Sequence, residues 1–186
     1  MIIGLTGSMG AGKGEVVKIL EKEGFQYITL SMMVREEARK RGVPEEREQL
    51  MEVGNDLRET EGLGVLAKRA LEKIQASGTD KWVVDGIRNP AEIDELKKHD
   101  GVIIVGLEAN RDLLVERILK RARPSDAKTP DEILRKIERE LSEGESLAGQ
   151  QVGKCMQKTD VTLVNEGTLE ELEKTVLNYY RDWQGD

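Results

Sequence analysis

The segment Gly7-Ser-Met-Gly-Ala-Gly-Lys-Gly14 has residue types and spacing suited to holding phosphate. Glycines let backbone N–H groups turn inward around anionic oxygens, and a helix beginning at Lys13 would add partial positive charge at its N-terminus. A lysine at the end of such a loop reaches the β- and γ-phosphates of a nucleoside triphosphate. The pattern is nearly Gly-x-x-x-x-Gly-Lys-[Ser/Thr], but Gly14 holds the hydroxyl position, so the customary direct magnesium ligand is missing. Gly7, Ser8, Met9, Gly10, Ala11, Gly12, Lys13, Gly14 and Glu15 are the candidate ATP contacts. Glu15 either favours the helix N-terminus through its charge or orders a magnesium-bound water.

A phosphoryl acceptor needs its own anion grip, and the planar fork of arginine suits that task. Arg35 closes the passage Ile28-Thr-Leu-Ser-Met-Met-Val-Arg35, in which Ser31 fits a helix N-cap. Arg88 closes Trp82-Val-Val-Asp85-Gly-Ile-Arg88, where an apolar strand ends in an acid and turns through glycine. Ligands of open α/β sheets bind at such strand ends. Ser31, Arg35, Asp85 and Arg88 are the candidate acceptor contacts, and Asp85 is also the candidate for holding Mg²⁺ through water. Alone, Arg35 equally fits a solvated helix face, and Asp85 with Arg88 a surface ion pair. Arg117, Arg121 and Arg123 cluster further on, and Arg135 and Arg139 repeat the four-residue spacing that puts side chains on one helix face. They read either as closing charge or as ordinary solvated faces.

These groups require a scaffold. Apolar runs at Ile2–Thr6, Phe25–Thr29, Lys81–Val84, Val102–Leu107 and Val161–Val164 read as buried strands. Amphipathic stretches at Lys13–Glu23, Met32–Lys40, Glu45–Thr60, Val65–Ala76, Pro90–Lys98, Arg111–Arg121, Asp131–Leu147 and Leu169–Trp183 read as helices. The alternation predicts an α/β fold, a parallel sheet flanked by helices on both faces. Residues 31–64 form an expected helical acceptor-binding insertion, and 120–132 a short lid, within a single domain spanning 1–186.

Composition excludes several classes. The chain has 186 residues, 38% hydrophobic and 35% charged, with net charge −7. That favours a globular protein and argues against general nucleic-acid binding. No run approaches the roughly 18 apolar residues of a membrane span, and the start lacks a basic leader, so a cytoplasmic location is expected. With Cys155 and His99 each alone of their kind, a cysteine zinc site and a histidine base are not expected. No obligatory protein partner is evident.

Through Gly7, Gly10, Gly12, Lys13 and Gly14, Asp85-Gly-Ile-Arg88, the Val34-Arg-Glu-Glu-Ala run, the short lid and Val164-Asn-Glu-Gly167, the chain resembles P-loop nucleotide kinases. It is similar to adenylate kinases and other nucleoside monophosphate kinases, and to the archaeal-type dephospho-CoA-kinase-like group. The resemblance implies a P-loop NTPase three-layer fold with a five-stranded parallel sheet. It also implies that the lid arginines converge on the transferring phosphoryl group, that Asn165 and Gly167 lie beside the donor adenine, and that Glu92 stands where adenylate kinases read the acceptor base with glutamine. The pattern departs at Glu15, where those enzymes carry threonine. The implied activity is transfer of the ATP γ-phosphoryl group to a nucleoside monophosphate with Mg²⁺. The alternatives are a dephospho-CoA kinase acting on a ribose 3′-hydroxyl and a nucleotide-binding regulator without turnover.

Overall fold

The computed structural model describes residues 1–123, 126–141 and 147–185. Strands β1 (Ile2–Gly7), β2 (Gln26–Thr29), β3 (Trp82–Asp85), β4 (Val102–Glu108) and β5 (Val161–Val164) form one parallel sheet in the order β2-β3-β1-β4-β5. The helices among the described residues are α1 (Lys13–Lys22), α2 (Leu30–Arg41), α3 (Arg47–Glu61), α4 (Val65–Ser77), α5 (Pro90–Leu96), α6 (Arg111–Arg121), α7 (Pro130–Leu141), α8 (Val152–Met156) and α9 (Leu169–Gln184).

Strand side chains alternate between faces, and the core divides accordingly. Ile2, Val84 and Ile104 join one apolar cluster with residues of α2, α3, α4 and α5. Their neighbours Ile3, Val83 and Val105 join another with residues of α1, α6, α7 and α9. Both faces are covered, which is why the strands read as unbroken apolar runs. The three layers expected from the alternation are present. The helices α2–α4, inserted between β2 and β3, share their cluster with the sheet face itself.

β1 lies at the centre of the sheet. The chain first builds β2 and β3 on one side of it, then crosses to build β4 and β5 on the other. The crevice at the carboxyl end of β1 is therefore a topological switch point, the usual ligand position in such sheets.

Local departures have simple causes. Ser31 is not the N-cap of α2, because β2 runs straight into the helix and the last strand residue, Thr29, takes the cap position. Ser31 falls in the first turn, with its Oγ 3.2 Å from Thr29 Oγ1. The stretch read as one helix over Asp131–Leu147 is α7 to Leu141, and residues 142–146 of that expectation lie outside the described residues, as do Pro124 and Ser125 of the lid. The short α8 has no counterpart among the expected helices. Among the described residues, no helix is long and apolar enough to cross a membrane.

Candidate active site

The loop after β1 takes its shape from close backbone approaches. Gly7 has φ 133°, and a Cβ there would collide with the Leu107 carbonyl oxygen of β4. Gly12 has φ 104°, and a Cβ there would collide with Asn165 Nδ2. Neither position admits an L side chain. The Lys13 ammonium curls back over the loop, donating to the Gly7 carbonyl at 2.5 Å and the Ser8 carbonyl at 2.9 Å.

Burial pushes the Lys13 pKa below its ordinary value. The charges of Asp85 and Glu140 oppose that shift, while Arg88 and Arg121 add to it. The fold thus gathers Asp85, Arg88 and Arg121, from separate stretches of sequence, around the loop lysine. Thr6 Oγ1, at the end of β1, donates to the Ile87 carbonyl at 3.0 Å and so fixes the Asp85–Arg88 turn to the strand that carries the loop. Asp85 Oδ1 accepts the Gly86 N–H at 2.6 Å, and the Tyr27 hydroxyl stands 3.5 Å from Oδ2. Partial burial and the Asp85 charge raise the Tyr27 pKa, so it remains a phenol donor.

The Arg88 backbone is held on both sides. Its N–H donates to Glu92 Oε2 at 2.9 Å, and its carbonyl accepts the Gln151 N–H at 2.6 Å. Its Nη1 reaches Gln150 Oε1 at 3.1 Å. Glu92 itself differs from the expectation of an acceptor-reading residue. It is 0% exposed. Its Oε1 accepts from Arg58 Nε and Nη2 at 3.1 and 2.9 Å, and its Oε2 from the Arg88 and Asn89 N–H groups. It closes the capping box of α5 and neutralises Arg58, leaving neither oxygen for a ligand.

The other expected arginines fare unequally. Arg35 lies exposed on α2 with Nη1 paired to Glu45 at 2.9 Å. Arg117 donates from Nη1 to the Asn165 carbonyl at 2.9 Å, in the turn after β5. Arg121 grips Asp126 with two bonds of 2.8 Å, and the Arg123 N–H donates to the same carboxylate at 3.1 Å. Arg135 and Arg139 do not point into the core. The buried stripe of α7 carries Ile133, Ile137 and Glu140, and both arginines lie off it, exposed.

Asn165 is buried and its Nδ2 donates to the Ala11 carbonyl at 2.9 Å, so the β5–α9 turn braces the phosphate loop directly. Gly167 is exposed at a shallow cleft lined by Leu163, Asn165, Thr168 and Leu172. Sequence reasoning missed Glu140, whose Oε2 accepts the Met9 N–H of the loop at 3.1 Å although it is only 7% exposed. A signal was available: Glu140 falls at the seventh position after Ile133 and the third after Ile137, on the apolar stripe of its helix.

The protein-family model described as AAA domain matches residues 6–135. A UPF0200 protein of Sulfurisphaera tokodaii is 36% identical over 173 residues, covering 92% of this chain and 91% of that protein. The chain belongs to the AAA domain family and to the UPF0200 family. Two solved structures show the fold. That of TT1252 from Thermus thermophilus has a TM-score of 0.58 at 22% identity, covering 98% of this chain and 97% of that one. That of a shikimate kinase from Acinetobacter baumannii in complex with shikimate has a TM-score of 0.55 at 19% identity, covering 97% and 93%. This UPF0200 protein therefore has a P-loop NTPase fold related to known small-molecule kinases.

Such a fold implies Mg²⁺, and the donor set suits it in part. Asp85 and Glu140 are oxygen ligands suited to a hard cation, and the place where a Gly14 side chain would stand is open space. Among the described residues, no group of three or more His, Cys, Asp or Glu could hold a metal.

Proposed function

We propose that this UPF0200 protein is an ATP-dependent phosphotransferase that moves the γ-phosphoryl group to a nucleoside monophosphate. The observation that carries the reading is that Lys13, buried over the glycine loop and bonded to its Gly7 and Ser8 carbonyls, lies in the combined field of Asp85, Arg88 and Arg121. Phosphoryl transfer needs little covalent help from the protein and is served by positioning and by cationic charge around the transferring group. The loop amides and Lys13 would take the donor's phosphates in place of the Gly7 and Ser8 carbonyls that hold the ammonium now. Arg88, fixed at both backbone ends, would grip the acceptor phosphate, and Arg121 would add charge from the lid. Mg²⁺, arriving with ATP, would neutralise the β- and γ-oxygens, with Asp85 holding its waters. Asn165 and Gly167 would border the donor base.

A second reading is favoured by one observation. Asp85 is a carboxylate beside Lys13 whose Oδ2 lies within reach of a polar hydroxyl, that of Tyr27. A carboxylate so placed suits a hydroxyl acceptor, such as the ribose 3′-hydroxyl of dephospho-CoA, which needs a base.

The test is ADP production from Mg-ATP with AMP, CMP, UMP, GMP, the deoxynucleoside monophosphates and dephospho-CoA as separate acceptors. Turnover with a monophosphate is expected. Turnover with dephospho-CoA alone would replace the first reading by the second. ATP binding without acceptor-stimulated ADP would overturn both in favour of a regulator.

A further inference from the structure

Glu140 contacts the phosphate loop, yet neither reading above gives it a role. It sits on the buried stripe of α7 beside Ile133 and Ile137, which anchor the helix in the apolar cluster that also holds Ile118 and Leu163. Its Oε2 accepts the Met9 N–H, one of the amides of the glycine loop. Its charge acts on Lys13 and on Arg121. A protein carboxylate therefore already takes one amide of the loop.

We propose that Glu140 is a specificity-determining residue that makes the loop accept a polyphosphate only together with its divalent cation. The inference rests on the reading of Gly7–Gly14 as the triphosphate site. When a phosphate oxygen takes the Met9 N–H, Glu140 loses its donor while remaining nearly enclosed. A buried carboxylate stripped of that bond, facing a second anion, is strongly disfavoured. The packing of Ile133 and Ile137 resists moving the whole helix to carry the charge into water. A cation bound to the phosphates eases the conflict, because it adds positive charge beside both anions. Gly14 sharpens the requirement. Where a serine or threonine hydroxyl would ordinarily help to hold the ion, this chain has open space, and the charges of Asp85 and Glu140 act on the neighbouring Lys13. Metal-free ATP brings its full negative charge to a loop where Glu140 already holds an amide, whereas Mg-ATP brings a counter-ion with it.

The experiment is calorimetric titration of the full chain with ATP, once in EDTA and once in excess Mg²⁺. Wild type, Glu140→Gln and Lys13→Ala are compared. In Glu140→Gln the new amide oxygen can still accept the Met9 N–H, so the substitution removes charge and keeps shape. Wild type is expected to bind metal-free ATP at least about tenfold more weakly than Mg-ATP, and E140Q to bring the two within about threefold, chiefly by tightening metal-free binding. An unchanged ratio in E140Q, or equal weakening under both conditions, would overturn the inference. So would a wild-type protein that binds ATP equally well with and without the ion, a result that needs no variant. If thermal unfolding finds E140Q unfolded, E140M, apolar and close in volume, carries the same comparison. Binding of Mg-ATP by K13A at wild-type affinity would overturn the loop reading itself, and the inference with it. Loss of binding in K13A with an unchanged E140Q ratio would remove the inference alone.

Discussion

Gly12 and Gly14 are near neighbours in the phosphate loop, yet they stand in opposite steric situations. Gly12 has φ 104° and lies against the Asn165 amide, whereas Gly14 has nothing within 4 Å of an added Cβ and lies in the first turn of α1. Gly12→Ala is therefore expected to cost roughly 1–3 kcal/mol and to abolish nucleotide binding by displacing Asn165. Gly14→Ala is expected to be neutral or to stabilise by up to about 1 kcal/mol, because it restricts the unfolded chain without native strain. Urea denaturation of the two variants checks both, and a G12A variant as stable as wild type would contradict the loop geometry. The loop glycines and Lys13 were legible in the sequence because their spacing is local. Glu92 was not, because its role is set by Arg58, which lies 34 residues away and reaches it only because α3 and α5 share one apolar cluster. The residue four beyond Arg88 that suggested base reading is instead the third beyond Asn89, the N3 position of a capping box.

Among the elements, the segment after α6 and the turn after β3 are each held by charge. Arg121, at the end of α6, holds the Asp126 carboxyl below its ordinary value of 3.8. A depressed carboxyl contributes stability above its unfolded pKa and loses it as the pH falls through the folded one. Asp126→Asn is thus expected to lower the thermal midpoint near neutrality and to have no effect near pH ~2. An equal loss at both pH values would show that the contact does not depend on the ionised carboxylate. The turn after β3 is braced by the buried Arg58–Glu92 pair, with Arg58 Nη1 also donating to the Ala148 carbonyl at 3.3 Å. Arg58→Met leaves Glu92 buried without its ionic partner, and is expected to cost about 3–5 kcal/mol. In Arg58→Met with Glu92→Gln most of that loss should be recovered, since no bare charge remains. Chemical denaturation of the single and double variants measures the difference, and equal losses in both would contradict an electrostatic origin. Helices α1 to α6 were legible from apolar periodicity. Their ends shifted by a few residues because caps such as Thr29 and Asn89 depend on how the preceding strand delivers the chain. The five-residue α8 is too short to carry a periodic signal.

In the molecule as a whole, the sheet order brings together what the sequence scatters. With β1 between β3 and β4, the loop after β1 lies beside the turn after β3, and β5 pairs with β4 so that Asn165 reaches the loop from the other side. A parallel sheet was predictable from alternating elements, but strand order is a non-local property with no local signature in one chain. The arginines illustrate the limit. Arg88 and Arg121 come to the loop, while Arg117 and Arg35 make contacts with Asn165 and Glu45 that no helix-face pattern revealed. Lys13 is the residue on which these elements converge, so the functional reading depends on it more than on any other side chain. The decisive experiment is acceptor-dependent transfer of the γ-phosphoryl group of Mg-ATP by wild type and by Lys13→Ala, with circular dichroism to establish that the variant is folded. Transfer by the wild type and a loss of about a hundredfold or more in the folded variant are expected, and a folded Lys13→Ala protein that retained wild-type turnover would contradict the assignment of the site.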